Sequence, residues 1–81
     1  MTDAQSAQRA VLELLNQRGT AKTICPSEAA RALAGRSGNW RDAMNDVHKA
    51  VDALHASGHV QLSWKGKELD QRRGAYRIAR R

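Results

Sequence analysis

The spacing of apolar residues changes at Gly58, and no other feature of the chain constrains its fold as strongly. Before Gly58, apolar residues recur at steps of three and four, which indicates one face of a helix; they are Trp40, Ala43, Met44, Val47, Ala50, Val51 and Leu54. After Gly58 the period becomes two, because Val60, Leu62 and Trp64 alternate with polar residues. The pattern therefore predicts a helix over residues 40–57, followed at once by a half-buried strand.

Two shorter helices are predicted before this one. Apolar residues at helical spacing predict a first helix over residues 3–18, with Gly19 as its stop signal. Residues 22–24 are partly β-branched, which favours a short extended segment. The second helix should cover residues 26–34, since Pro26 lacks a backbone donor and fits the first turn of a helix.

A second run of period two follows a charged stretch near the carboxyl end. Tyr76 and Ile78 face away from Arg77 and Ala79, so this run predicts another strand. We expect it to form a hairpin with the first strand, joined by an irregular basic loop. Tyr76 and Ile78 should close the open side of the helical core, together with the alternating residues of the first strand, including Trp64.

The predicted order is helix, short extended segment, helix, helix, strand, basic loop, strand. This is the layout of a winged helix-turn-helix, a mainly α fold in which a small β-hairpin forms the wing after three helices. We expect one domain over residues 1–81, since a chain of this length has room for a single core. Residues 1–4 and 80–81 should be frayed.

The positive charge of the chain is concentrated near its carboxyl end. The formal net charge is +6; residues 1–58 contribute +1 from seven basic and six acidic residues, and residues 59–81 contribute +5 from seven basic and two acidic residues. A concentrated basic surface points to a polyanionic partner, and on this layout double-stranded DNA is the expected one. A merely solubilising surface is the alternative.

Ten residues are candidates for contact with nucleic acid. In a winged helix-turn-helix the wing grips phosphates, while the second helix of the motif reads base edges. The candidates on the wing are Lys65, Lys67, Arg72, Arg73 and Arg77, and those nearest the bases are Asn39, Arg41, Asn45 and Lys49. Arg36, in the loop before the third helix, is the tenth candidate.

Two observations complicate this assignment. Asp42, Asp46 and Asp52 lie on or beside the outward face of the third helix, as does His48, and carboxylates repel the phosphate walls of a groove. Base reading by this helix and a plain solvated face therefore both stay open. Trp64 lies within the basic stretch and is able to stack on a base, but its alternation with apolar residues favours the core.

No arrangement typical of an enzyme or a metal site is present in the sequence. Cys25, His48, His55 and His59 are the only soft metal-ligand candidates, and Gly58 separates the last two. No nucleophile elbow and no phosphate-binding glycine loop occurs. We expect no catalytic activity, no metal and no cofactor, and we interpret Cys25 as a small residue at a helix start.

The expected location is the cytoplasm. A single cysteine fits a reducing compartment, residues 1–8 are too polar for a secretory leader, and no apolar run is long enough to cross a bilayer. We therefore expect no membrane association.

Residues 23–33, with the sequence TICPSEAARAL, resemble a bacterial domain-of-unknown-function family of short proteins that carry a T-I-C-P-S-E motif. The similarity continues through residues 40–44, 58–60 and 65–67 and the region of Gly74. It implies a winged-helix-like fold and no particular activity. The stretch 70–74 is more basic than the resemblance leads us to expect.

Two functions remain open at this stage. The first is a nucleic-acid-binding module, such as a small transcriptional regulator, whose basic wing leads the contact. The second is a winged-helix adaptor that binds another protein and no nucleic acid, since this fold serves both purposes. Neither the target sequence nor the oligomeric state follows from the residues.

Overall fold

The computed structural model describes residues 4–19, 22–35 and 38–81, which form three helices and four short strands. In chain order these are α1 (Ala4–Arg18), β1 (Thr23–Ile24), α2 (Pro26–Ala34), α3 (Trp40–Ala56), β2 (Val60–Trp64), β3 (Lys67–Leu69) and β4 (Arg77–Arg80). The predicted helices are confirmed to within one residue at their described ends. The fold is mostly helical with a small antiparallel sheet, as predicted.

The turn between α2 and α3 depends on a close approach of the backbone. A Cβ atom at Gly38 would overlap the carbonyl oxygen of Ala34, so no larger residue fits there without a shift. Asn39 then caps α3, because its Oδ1 accepts the backbone N–H of Arg41 at 3.0 Å. These local contacts fix where α3 begins.

The sheet differs from the two-stranded hairpin that the sequence predicts. It has four strands in the order β1-β4-β2-β3. β4 pairs antiparallel with both β1 and β2, so Ile78 lies opposite Ile24 on one side and Leu62 on the other. The prediction missed β3 and placed it in a loop, since a three-residue edge strand with two charged residues shows no readable alternation.

A two-residue turn, Lys65-Gly66, joins β2 to β3. Trp64 and Lys67 pair across it, and φ is positive at both turn residues, 52° at Lys65 and 83° at Gly66. Positive φ at both positions is typical of a type I′ hairpin turn, in which Asn-Gly is the favoured pair. Lysine therefore occupies a left-handed conformation that asparagine or glycine adopts with less strain.

Residues 70–76 carry the chain from β3 to β4. Because β4 lies on the other side of β2, this connection has to cross β2. Two side-chain contacts tie it to α3 along the way, one between Arg72 and Asp52 and one between Tyr76 and His48. The basic connection and α3 therefore belong to one surface.

One hydrophobic cluster joins the three helices to the sheet. Burial of each large side chain in it contributes about 1.5–3 kcal/mol before entropy is counted. The largest fully buried side chains are Leu15, Ile24, Leu62, Ile78, Val11, Val47, Val51 and Val60. Tyr76 is also buried, so the predicted closure of the core by the strands is confirmed for these residues.

Trp64 does not belong to that core, and the prediction that it does is wrong. It lies on the same face of β2 as Val60 and Leu62, yet it is 41% exposed. Alternation predicts the face of a strand correctly, but it carries no information about where the neighbouring helices end. At the last position of β2 the indole borders an open cleft and is not covered by the core.

The two carboxyl-terminal residues, for which fraying is predicted, make contacts with the rest of the chain. Arg80 forms part of β4, and its Nη1 donates to Asn16 Oδ1 on α1 at 3.0 Å. The backbone N–H of Arg81 donates to the carbonyl oxygen of His59 at 3.2 Å. The predicted fraying at 1–3 lies outside the described residues.

Candidate nucleic-acid interface

Three of the five basic residues predicted on the wing have unpaired side chains. Lys65, Lys67 and Arg73 are exposed, and none of them makes a hydrogen bond or ion pair with the described part of the chain. Lys65 is the first residue of the β2–β3 turn and Lys67 follows the turn, while Arg73 lies in the connection to β4. Their charges are fully available to an external anion.

Two other basic residues of the carboxyl-terminal segment are held by carboxylates. Arg72 donates from Nε and Nη2 to the two oxygens of Asp52, each at 3.1 Å. Arg81 Nη2 lies 3.0 Å from Glu68 Oε2 on β3. Such solvent-accessible pairs are worth about 0–1 kcal/mol. The predicted phosphate ligand Arg72 is therefore partly neutralised by a residue of α3.

A third group of basic residues has neutral partners. Arg77 donates from Nε to Thr23 Oγ1 at 3.0 Å and from Nη2 to the carbonyl oxygen of Thr23 at 3.2 Å. These bonds hold β4 against β1. Because both acceptors are neutral oxygens, the positive charge of the guanidinium stays unbalanced. Arg80 also donates to a neutral partner, Asn16, so its charge is likewise unbalanced. Arg77 thus has a structural role that does not remove its attraction for phosphate.

The residues predicted to lie near the bases follow the outward side of α3, except Arg36, which lies outside the described residues. Arg41, Asn45 and Lys49 are exposed and are spaced by four, so they share one face of the helix. Asn39 precedes α3, and its side-chain oxygen already caps the helix.

Two guanidinium groups stack on Trp40 at the amino end of α3. The Cζ atoms of Arg31 and Arg41 each lie 4.8 Å from the centroid of the indole. Cation–π attraction of this kind orders both side chains and leaves their N–H edges able to donate. The sequence indicates Arg41 as a candidate but not Arg31, because the two arginines belong to different helices.

The acidic residues of α3 are less of an obstacle than the sequence suggests. Asp52 is paired with Arg72, so its charge is balanced within the molecule. Asp42 is exposed and Asp46 is half-buried, and neither has an ion-pair partner among the described residues. Two uncompensated carboxylates remain beside the row of Arg41, Asn45 and Lys49.

Residues 23–28, which carry the TICPSE motif, form a strand-to-helix junction. Glu28 Oε1 accepts the backbone N–H of Cys25 at 3.3 Å, and Glu28 Oε2 lies 2.6 Å from Arg18 Nη2. Cys25 Sγ lies 3.1 Å from Ser27 Oγ and donates to Glu28 Oε1 at 3.4 Å. The motif therefore ties down the start of α2, with Glu28 in the role that it has in a capping box.

Glu28 is ionised more easily than a free glutamate. Partial burial raises its pKa, but the hydrogen bonds from Cys25 and the charge of Arg18 outweigh that effect and lower the pKa below its ordinary value. The carboxylate is therefore a stabilising part of the junction. The sequence alone does not predict its partner, Arg18 on α1.

His48 was expected on the outward face of α3, and the structure shows that this was wrong. It is half-buried, and its Nδ1 lies 2.7 Å from the hydroxyl of Tyr76. Burial and the nearby charge of Arg72 lower the pKa of His48, while burial raises the pKa of Tyr76. The sequence held a signal, since His48 follows Met44 by four and precedes Val51 by three, on the edge of the apolar stripe.

Within the described ranges, no three His, Cys, Asp or Glu side chains come together in a way that would hold a metal ion. The helices in those ranges are all too short or too polar to cross a membrane. The described residues place several cationic side chains around the β2–β3 turn and α3. Some are held by hydrogen bonds within the molecule, and others have no partner in the described part of the chain. Positive charge of this kind attracts anions.

These features define a class of protein, a small helical domain whose antiparallel sheet ends in a basic hairpin. The sequence profile of a family described as a protein of unknown function, DUF3253, matches residues 4–81. The chain therefore belongs to the DUF3253 family, and its predicted resemblance to an uncharacterised domain family is confirmed. A search of curated proteins found no match.

Proposed function

We propose that this domain is a winged helix-turn-helix module that binds nucleic acid, with double-stranded DNA as the main ligand and the basic hairpin as the main contact. The order of the elements supports this proposal, because β1 lies between α1 and α2 and pairs with β4, and β4 also pairs with β2, which follows the third helix. In this interpretation α2 and α3 are the helix-turn-helix, and β2, β3 and the connection to β4 are the wing.

The observation that carries the proposal is the presence of unpaired cations at one exposed end of the sheet. Lys65 lies in the tight turn that follows β2 and Lys67 comes directly after that turn, while Arg73 lies in the connection that crosses the same strand. Lysine and arginine side chains with no internal partner bind phosphates at the cost of little more than their rotamer freedom.

The proposed role of α3 is secondary. The connection is tied to α3 through Arg72 and Asp52, so both elements are able to face one duplex. Asn45 and Lys49 are free to contact the groove, but Asp42 and Asp46 oppose a deep approach. We therefore expect strong phosphate contact by the wing and weak sequence preference from α3.

The experiment is fluorescence anisotropy with a labelled duplex of mixed sequence at several salt concentrations. About four or five phosphate contacts give a log–log slope near −4 for the unmodified protein. The double variant Lys65→Gln/Lys67→Gln should weaken binding about tenfold or more and reduce the slope by about 2.

A matched control removes the same charge from residues that belong neither to the hairpin nor to α3. Arg9 and Lys22 are exposed and have no ion-pair partner among the described residues. Arg9→Gln/Lys22→Gln should leave the slope within about half a unit of its original value. Equal losses for the two double variants would mean that only net charge matters, and absence of salt-dependent binding would favour a protein-binding adaptor instead.

A further inference from the structure

A cleft of about 340 Å³ lies where β2 ends, next to the unpaired cations. It is bordered by Pro26 and Ser27 at the start of α2, by His48 on α3, by Trp64, and by residues 74–77. Sites for small ligands span roughly 300–1,000 Å³, so this space suits one small planar group. We call it the Trp64 cleft.

Trp64 gives the cleft an exposed aromatic wall. It is 41% exposed, and the only other large apolar side chain with comparable exposure in the described chain is Leu12, on α1. An exposed indole at the edge of a concave site is a common feature of binding surfaces, because the ring stacks on flat partners. The core does not need Trp64, so a ligand-binding role explains its position better than packing does.

The remaining walls supply neutral polar groups. The His48 imidazole and the Tyr76 hydroxyl are bonded to each other at 2.7 Å, and their ring centroids are 5.7 Å apart. Cys25 and Ser27 add a thiol and a hydroxyl from the start of α2. An apolar cavity with a few such groups matches a heteroaromatic ring, which has flat apolar faces and a polar edge.

The charges around the cleft indicate an anionic ligand. The residues that line it include one cation, Arg77, and no carboxylate. Lys65 follows Trp64 in the chain and Arg73 precedes Gly74, so unpaired cations adjoin two of the lining residues. A planar ring that is linked to phosphates on both sides fits this arrangement, and a nucleotide within a strand has that chemistry.

We propose that the Trp64 cleft receives one unpaired nucleobase of the bound nucleic acid, which stacks on Trp64 while the adjacent phosphates contact Lys65 and Arg73. This inference rests on the proposed nucleic-acid binding and adds a preference to it. A duplex with a bulged base or a single-stranded end should bind more tightly than a fully paired duplex, because its base reaches the cleft without the cost of unstacking.

The first test compares affinities by anisotropy for a blunt duplex and for the same duplex with a short 3′ overhang, in DNA and in RNA. The unmodified protein should prefer the overhang by about tenfold, the scale of one stacked base. Trp64→Ala should abolish the preference and Trp64→Phe should restore most of it. Leu12→Ala, which removes the other exposed apolar side chain, is the matched control and should leave the preference unchanged.

The second test uses the fluorescence of single tryptophans. In Trp40→Phe the emission comes from Trp64 alone, and the overhang should quench it strongly. In Trp64→Phe the emission comes from Trp40, which already contacts two guanidinium groups, and binding should change it little. Circular dichroism confirms that each variant keeps the fold.

The outcomes separate this inference from the proposed function. Salt-dependent binding of both duplexes with equal affinity, or an unchanged Trp64 emission at saturation, overturns the cleft assignment and leaves phosphate binding in place. No binding of any oligonucleotide overturns both. Loss of the overhang preference in Trp64→Ala together with quenching of Trp64 supports both.

Discussion

The helix start at residues 25–28 and the hairpin turn at residues 65–67 are both tight local structures, but their polar side chains differ. At the helix start, Glu28 accepts from Cys25 and pairs with Arg18, so its polar groups are satisfied inside the molecule. At the turn, Lys65 and Lys67 have no partner among the described residues. The first region contributes to stability, and the second is available for binding.

Basic residues within the wing differ in the same way, since some are paired inside the molecule and others are not paired with any described residue. Arg72 and Arg73 are neighbours in the chain, yet Arg72 is bonded to Asp52 and Arg73 has no partner in the described chain. Counting basic residues therefore overstates the charge available to a ligand. What matters for function is the set of cations that the fold leaves unpaired.

The largest effect on stability is expected at the helix start. Glu28→Ala removes the acceptor for the Cys25 N–H and the partner of Arg18, and it should lower the free energy of unfolding by about 1–2 kcal/mol. Urea unfolding followed by circular dichroism measures the change. Affinity for a duplex should stay the same while the protein remains folded.

Glu68→Ala is the control for that variant, since Glu68 also pairs with an arginine but lies on the exposed edge strand β3. It should cost about 0.5 kcal/mol or less. Equal losses for Glu28→Ala and Glu68→Ala would contradict the special role of the helix start.

Lys65 offers a test in which stability and binding move in opposite directions. Lys65→Asn places a favoured residue at a positive φ and should raise the free energy of unfolding by about 0.5 kcal/mol. It also removes one proposed phosphate contact, so affinity should fall several-fold and the salt slope should lose about one unit.

Lys67→Asn is the matched variant at the other side of the turn, where the backbone is extended. It should weaken binding by a similar factor with no gain in stability. If Lys65→Asn binds as tightly as the unmodified protein, the lysine is not retained for phosphate contact.

Asp52 reduces the positive charge of the surface that α3 shares with the wing, because it pairs with Arg72. Asp52→Asn removes a carboxylate from the proposed interface and releases Arg72, so duplex affinity should rise by about threefold. The cost in stability should stay below about 1 kcal/mol, because the pair is solvent-accessible. Unchanged or weaker binding would show that Arg72 and Asp52 lie away from the nucleic acid.

Lowering the pH should gradually reduce the free energy of unfolding, because His48 and Glu28 take up protons less readily in the folded protein than in the unfolded chain. The pKa of His48 is lowered from 6.5 by burial and by Arg72, against the opposing effect of Asp52, so the unfolded chain takes up a proton first as the pH falls below 6.5. The pKa of Glu28 is lowered from 4.5, so its contribution is present above that pH and is lost below it.

Unfolding free energies measured between pH 8 and pH 3 test both signs. Stability should fall from near pH 6.5 downward, and His48→Gln should flatten the upper part of that decline. An increase in the free energy of unfolding as the pH is lowered from 7 to 5 would contradict the burial of a neutral His48 against Tyr76.

Local signals in the sequence predict the helices and the face of each longer strand. Gly58, Pro26 and the apolar stripe of α3 are local signals, and the structure confirms what they predict. The sequence does not predict β3 or the exposure of Trp64, because both depend on how far neighbouring elements extend. The sequence also does not predict that Arg72 pairs with Asp52 or that Glu28 pairs with Arg18. Each pair joins two elements that are separate in the sequence.

The most direct test of the central claim is an NMR titration of the ¹⁵N-labelled protein with a short duplex that carries a 3′ overhang. Our account predicts that the largest amide shift changes occur at residues 64–67 and 73–77, that smaller ones occur on α3 from residue 41 to residue 49, and that they weaken as salt is raised. Shift changes centred on α1, or none at low salt, would contradict it.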